Sequence, residues 1–315
     1  MNLSPGPRTQ LLRPTHWIKN VMVLLPVLFA MRIGDGRAWA QALITAGAFC
    51  LLSSTVYVIN DILDRDKDRI HPVKRNRPLA AGTVTLSSAA MLAGLSLLLA
   101  AVLWSLLLVI SPQPNRTAWP VGGVLLAYLL LQIAYSLRLK RVLILDVICI
   151  ALGFVLRALA GALAIGVVVS PWLFVMAFTL CLFMGFCKRF SEQASLSVQD
   201  HPEDHRATLA GYRNDLLTHL VTLSASISVI AMVLYSLDER TVRNFGSNFL
   251  VYTLPIFLYG VFRFAMLSMA GRYPGPTELI LRDRPFQLTV ALWMLSAAAI
   301  IYWGPQLRDI LAGAG

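Results

Sequence analysis

Charge is scarce in this chain. Of its 315 residues, 14% are charged and 57% hydrophobic, and the mean hydropathy is +0.68. A soluble domain carries about a quarter charged residues, so a soluble enzyme of this length is excluded and a membrane bundle expected. Acids are scarcer still, with 16 Asp and Glu against 27 Lys and Arg, a formal charge of +11. In a soluble protein that balance would raise nucleic acid as a partner. Here the bases sit in short loops between apolar runs and no nucleic-acid module accompanies them, so that partner is set aside. Cysteine is rare too. Cys50, Cys149, Cys181 and Cys187 lie in or beside apolar runs, without a CxxC pair or zinc spacing, and read as small buried hydrophobes. A polar linker, a low-complexity stretch, a transporter-like internal repeat, a P-loop, a GxSxG elbow and a dinucleotide fingerprint are likewise missing. One polytopic membrane domain over 1–315 is the expectation. No small-residue cleavage site follows the first apolar run, which therefore reads as a retained helix.

What is present is long apolar sequence. A spanning helix needs about 20 mostly apolar residues, and such runs fall near 16–33, 38–60, 86–111, 119–137, 142–166, 171–188, 217–236, 248–269 and 286–304. The expected fold is thus all-α, a bundle of nine transmembrane helices in a lipid bilayer, with a polar cap. Loop charge orients it. Apart from Arg32, Arg37, Arg116, Arg240, Arg243 and Arg308, and Arg157 inside the fifth run, every Lys and Arg falls on the side holding the N-terminus. That side is expected to be cytoplasmic. Most acids follow the bases there, which positive-inside sorting does not require, and this points to a site.

The densest group directly follows the second run: Asn60-Asp61-Ile62-Leu63-Asp64-Arg65-Asp66-Lys67-Asp68. If the helix continues, Asp61, Asp64 and Asp68 share one face. Three such carboxylates repel unless a cation neutralises them, and magnesium binds through one or two carboxylates plus substrate phosphates. Lys74, Arg75 and Arg77 follow, suited to phosphate oxygens, with Pro72 and Pro78 placing them on a loop. A solvated charged loop of weak ion pairs is the plainer alternative. The NDxxDxxxD spacing at a membrane-helix exit favours a metal and phosphate site.

Other polar groups lie in or beside the apolar runs. Asp146 and Arg157, eleven residues apart, return to nearly one helical face, about 16 Å apart along the axis. They are too far apart to pair, and such charges usually face a cavity. Tyr128, Gln132 and Tyr135 form a polar stripe followed by Lys140; interhelical packing explains it equally well. Lys188 and Glu192 stand four apart with Arg189 between, the spacing of an ordinary surface pair. The stretch Ser191 to Asn214 holds Asp200, His201, Glu203, Asp204 and His205 without a metal-binding spacing, and Gly275 to Pro285 reads as a turn and helix entry.

Together these residues resemble the UbiA superfamily of intramembrane prenyltransferases, which bind a diphosphate through magnesium and two aspartate-rich motifs. The first motif, Asn60 to Asp68, is complete. The second is not, since Lys188-Arg189 and Glu192 stand where a DxxxD would follow the sixth run. The chain in this respect resembles the decaprenyl-phosphate phosphoribosyltransferase branch, through Arg13-Pro14-Thr15-His16-Trp17-Ile18-Lys19-Asn20, Asn60 to Gly82, Tyr135 to Lys140 and Asp146 to Arg157. Lys188 to Glu192, Gly211-Tyr212, Pro276-Thr277-Glu278 and Asp283-Arg284-Pro285 extend the likeness over almost the whole chain.

The resemblance implies a transferase that moves 5-phosphoribose from phosphoribosyl diphosphate (PRPP) to a polyprenyl phosphate, with Mg2+. Its catalytic loops would lie near 60–85, 138–142, 188–216 and 270–285, on the cytoplasmic face of a bacterial plasma membrane. Asp61, Asp64 and Asp68 would hold the metal on the leaving diphosphate, with Asn60 orienting it. Lys74, Arg75 and Arg77 would bind diphosphate or 5-phosphate oxygens. Lys19, Lys140 or Arg157 would hold the lipid phosphate, and Glu192 or Asp283 would touch ribose hydroxyls. Tyr135, Asp146, Lys188, Tyr212 and Arg282 complete the expected substrate-binding set. Prenyl transfer to an aromatic acceptor would need the missing second motif. A lipid-phosphate transporter would need a matching cluster on the opposite face.

Overall fold

The computed structural model describes residues 6–70, 74–196, 211–273 and 275–313. Within them every regular element is a helix and no strand occurs. This is the expected all-α bundle, and the reason is physical: in lipid a backbone must satisfy its own hydrogen bonds, and an isolated segment does so only as a helix. The helices are α1 (Pro7–Leu12), α2 (Leu25–Phe29), α3 (Gly36–Leu63), α4 (Arg65–Ile70), α5 (Leu86–Ile110), α6 (Ala118–Leu137) and α7 (Leu145–Ala164). They continue with α8 (Pro171–Leu196), α9 (Asn214–Leu237), α10 (Glu239–Phe245), α11 (Leu254–Met269), α12 (Pro276–Arg282) and α13 (Arg284–Gly313). Polar residues start several of them. Asp35 accepts the N–H groups of Arg37 and Ala38 at the head of α3, and Thr85 accepts from Ser88 at the head of α5, each satisfying helix-start donors.

Eight helices among the described residues are long and apolar enough to cross a membrane. The first of the nine expected runs, 16–33, is not one of them. It is a ten-residue 3-10 segment, Pro14–Val23, followed by the short α2. Pro14 and Pro26 each lack a backbone donor, and 3-10 geometry rises about 2.0 Å per residue against about 1.5 Å in an α-helix. The run still travels the height of α3, antiparallel to it. Arg13 meets Asp61, Trp17 donates to Ser54, Asn20 to Cys50, and Val27 packs on Ala38 and Ala42. Trp39 then donates to the Ile33 carbonyl. The N-terminal segment therefore begins beside the Asp61 end of α3.

The chain divides into two compact units. The first comprises residues 1–140 and 156–168; the second comprises 141–155 and 169–315. The helix α7 belongs to both. In the first unit Val23, Phe49, Leu52, Val56, Leu107, Val121, Leu125 and Tyr128 interlock with Ala48, Ala100, Ala160 and Ala164. Such small residues let membrane helices approach closely, which matters where lipid removes most of the hydrophobic drive. Gly161 is the extreme case, since a Cβ there would stand 2.0 Å from the Val23 carbonyl oxygen. In the second unit Val147, Phe183, Phe186, Leu217, Val261, Phe264 and Leu279 form the core.

Candidate active site

In the first unit the polar cluster forms where α3 ends. The helix stops at Leu63, Asp64 caps it, and α4 restarts at Arg65. Asp61, Asp64 and Asp68 thus do not ride one unbroken face, and each is matched with a cation. Arg13 Nη2 donates to Asp61 Oδ1 at 2.5 Å. Arg77 Nη1 reaches Asp61 Oδ1 at 3.2 Å and Asp68 Oδ2 at 2.7 Å. Lys140 Nζ donates to both Asp64 oxygens, at 2.9 and 2.7 Å, and to Asn60 Oδ1 at 3.3 Å. Asp61 and Asp68 are buried, so these pairs neutralise charge that water cannot reach. Among the described residues no three carboxylate, imidazole or thiol groups gather around one point. Lys74 begins a single 3-10 turn, Lys74–Asn76, and is half-buried; Arg75 beside it is exposed.

Deeper in the same unit, Arg157 is buried. Its Nε donates to Asn20 Oδ1 at 2.7 Å and its Nη2 to the Tyr128 hydroxyl at 2.8 Å. The guanidinium also lies 4.8 Å from the Tyr128 ring centroid and 5.9 Å from that of Phe49, within cation–π range. Of the stripe in α6, it is Tyr128 that does this work, while Tyr135 is half-buried, as is Lys19.

The second unit has its own centre. Asp146, fully buried, lies 2.9 Å from Arg189 Nε and accepts from the Tyr212 hydroxyl at 2.8 Å. The Tyr212 oxygen in turn accepts the Ile144 N–H at 2.9 Å, holding a β-branched residue at φ +69°, where such residues are outliers. Burial, and then the hydrogen bond to Asp146, push the Tyr212 phenol well above its ordinary value. Arg189 is 1% exposed and also pairs with Glu192. Lys188, expected in that place, lies 44% exposed and 3.7 Å from Glu192. The two ends of α7 thus have different partners: Asp146 engages Arg189 and Tyr212, and Arg157 engages Asn20 and Tyr128.

Asp283 also differs from expectation. Both its oxygens are taken by Arg263, from Nε at 2.7 Å and Nη2 at 2.9 Å, and Oδ1 accepts the Phe286 N–H at 2.8 Å. Arg263 foremost, with the Phe286 N–H, holds the Asp283 carboxyl below its ordinary value. Arg282 is exposed. Asp200, His201, Glu203, Asp204 and His205 fall outside the described residues.

Five partners escaped the choice of site residues from sequence: Arg13, Asn20, Tyr128, Arg189 and Arg263. Arg13 and Asn20 bound the stretch Arg13 to Asn20, Tyr128 heads the stripe, and Arg189 stands three residues before Glu192. The spacing of Arg189 from Glu192 was as good a signal as that of Lys188. Only burial distinguishes them. As a whole, the first unit offers oxygen-only carboxylates interleaved with Arg13, Arg77 and Lys140, a donor set matched to hard divalent ions and phosphate oxygens.

Comparison with known proteins agrees with this chemistry. The family model for the UbiA prenyltransferase family matches residues 21–268. A decaprenyl-phosphate phosphoribosyltransferase of Mycolicibacterium smegmatis is 33% identical over 306 residues, covering 92% of this chain and 91% of the relative. The protein of the same name from Corynebacterium glutamicum is 30% identical, covering 97% of this chain and 89% of its own. Among solved structures, a UbiA homolog from Archaeoglobus fulgidus bound to GPP and Mg2+ superposes with a TM-score of 0.66 at 20% identity, over 94% of this chain and all of that one; this likeness concerns the fold alone. The chain is a multi-pass membrane protein and belongs to the UbiA prenyltransferase family.

Proposed function

We propose that this protein transfers a 5-phosphoribosyl group from PRPP to a polyprenyl phosphate of the decaprenyl type, releasing diphosphate. The observation that carries this reading over prenyl transfer is Arg189, buried against Asp146 and Glu192 where a second aspartate-rich motif would bring carboxylates. A phosphoribosyl donor and a phosphorylated acceptor bring three phosphate-type groups where a prenyl donor and an aromatic acceptor bring one diphosphate. Arg189 matches the charge of Asp146 and Glu192, so the carboxylates there are neutralised by a guanidinium and not left to a second metal ion. The near full-length likeness to two phosphoribosyltransferases supports the same reading.

The chemistry asked of the protein is modest. An acceptor phosphate oxygen bonds to C1 of the ribose as the bond from C1 to the diphosphate breaks, and the electron pair leaves with diphosphate. The acceptor is already anionic at neutral pH, so no general base is needed. The structural relative carries Mg2+, and the all-oxygen donors Asp61, Asp64 and Asp68 suit such an ion here; when bound, it supplies neutralisation of the leaving diphosphate. Asn60, Lys74, Arg75 and Arg77 are assigned to the donor's phosphates and Lys140 to either phosphate partner. Lys19 and Arg157 are assigned to the lipid phosphate, and Glu192 to ribose hydroxyls. Asp283, occupied by Arg263, is given a structural part. The main tasks are alignment and exclusion of water from a cationic ribosyl centre. The bacterial relatives support a plasma membrane placement, and loop charge supports an N-terminus and site on its cytoplasmic side.

The test uses purified protein with labelled PRPP, Mg2+ and polyprenyl phosphate. Lipid-linked phosphoribose is expected. Its absence, with a prenyl diphosphate and an aromatic acid reacting instead, would replace this reading with prenyl transfer.

A further inference from the structure

We propose that Arg13 is a donor-binding residue that serves as the counter-ion of Asp61 at rest and passes to a phosphate oxygen when diphosphate and a divalent cation arrive together. The inference rests on the function proposed above. Asp61 is 3% exposed at its side chain, whereas that of Arg13 is 20% exposed, so the carboxylate is fixed inside and the guanidinium reaches toward its edge. Arg13 stands alone at the joint between α1 and the 3-10 segment, at φ +48° and ψ +57°, a left-handed conformation that residues other than glycine and asparagine seldom adopt. The backbone there turns the side chain onto Asp61 and over the Tyr57 ring, 5.0 Å from its centroid.

The charge inventory gives the consequence. Asp61, Asp64 and Asp68 are paired with Arg13, Arg77 and Lys140, so these six side chains are neutral in sum. A divalent cation alone must prise Arg13 and Arg77 from Asp61 and leave guanidinium groups unpartnered in a largely buried place. Diphosphate alone adds several negative charges beside three carboxylates. Brought together, the metal takes the carboxylates and the phosphate oxygens take the guanidinium groups, whose forked donors fit phosphate as they fit carboxylate. Each ligand removes the obstacle to the other, so their binding is coupled, and Arg13 is one of the groups that couples them.

The experiment is calorimetric titration of the purified full chain with MgCl2 alone, inorganic diphosphate alone, and MgCl2 at saturating diphosphate. For the wild type each ligand is expected to bind at least about tenfold more tightly in the presence of the other, the scale of one charged hydrogen bond. In Arg13→Gln, Mg2+ alone should bind about tenfold more tightly and diphosphate with Mg2+ about tenfold more weakly. A merely structural Arg13 gives the opposite first result, because Asp61 would lose its position and Mg2+ alone would bind more weakly. That outcome, or unchanged coupling in Arg13→Gln, overturns the proposal. If the Gln variant does not fold, Arg13→Lys is read instead. It keeps the charge without the fork, so Mg2+ alone should bind as in wild type and the diphosphate complex more weakly; wild-type affinity for that complex overturns the proposal. Diphosphate is common to ribosyl and prenyl donors. Intact coupling without any lipid-linked phosphoribose would therefore sink the proposed transfer and leave the role of Arg13 standing.

Discussion

At the scale of single residues, the site is a set of exchanges between carboxylates and cations. Asp64 is the most telling member, because it caps α3 and takes both of its contacts from one ammonium. Its side chain is 21% exposed, so truncation leaves Lys140 near water and not stranded. Asp64→Ala is therefore expected to fold with a near-wild-type melting curve and to lose roughly 10²-fold or more of its Mg2+-dependent turnover, the usual effect of removing one charge-stabilising group. Wild-type turnover in that variant would remove Asp64 from the metal-binding role. Asp283 differs in kind. Its lowered pKa comes from Arg263 and a backbone N–H, so the ionised form is favoured in the folded state. Its contribution to stability is complete above its ordinary value of 3.8 and drains away as pH falls through the lowered one. Melting temperatures of wild type and Asp283→Asn should differ at neutral pH and converge as the medium becomes strongly acid. A gap that stays constant with pH would show that the Arg263 pair contributes nothing through charge.

At the scale of elements, the first traverse shows what apolar composition can and cannot say. Residues 16–33 are apolar enough to be read as a helix, yet Pro14 and Pro26 and the contacts to α3 draw them into a 3-10 run and a five-residue helix. Hydropathy records that a segment crosses, not how its hydrogen bonds are made. The close approach to α7 depends on Gly161, and a methyl group there would collide with backbone, which cannot rotate away as a side chain could. Gly161→Ala is expected to lower the melting temperature by the equivalent of at least about 1–3 kcal/mol. Gly123, in α6, has no atom within 4 Å of its would-be Cβ, so Gly123→Ala should be neutral or stabilising by up to about 1 kcal/mol. Equal melting curves for the two variants would mean that the Val23 carbonyl does not sit on Gly161. Glycine spacing alone would not have separated the two positions, because what differs is the neighbour.

At the scale of the whole molecule, the arrangement legible from sequence was the one that charge dictates. The apolar runs, the crowding of acid and base after α3 and the lopsided loops all follow from local composition. The partner of each charge did not. Arg13 and Asp61 are 48 residues apart, and Arg157 reaches back 137 residues to Asn20, distances at which only the fold chooses partners. Sidedness lies between these cases. It rests on loop charge, while the structure adds that residues beside Arg13 and residues beside Asp61 lie at one end of α3 and Asp35 at the other. The free cysteines Cys50, Cys149, Cys181 and Cys187 fall within α3, α7 and α8, three of the candidate spans, and should be slow to react with a membrane-impermeant maleimide in intact cells. Single cysteines introduced into that background at Arg8 and at Arg75 should be protected in intact cells and labelled once the membrane is opened. A cysteine at Asn115, in the loop between α5 and α6, should be labelled in intact cells. If Arg8 and Asn115 label alike from outside while Arg75 stays protected, the 3-10 run does not carry the chain across the bilayer, and the contacts that march down α3 from Asp61 to Asp35 would need another explanation. If Arg75 labels from outside, the loop-charge orientation is inverted, and the donor would have to reach the site from the opposite side of the membrane.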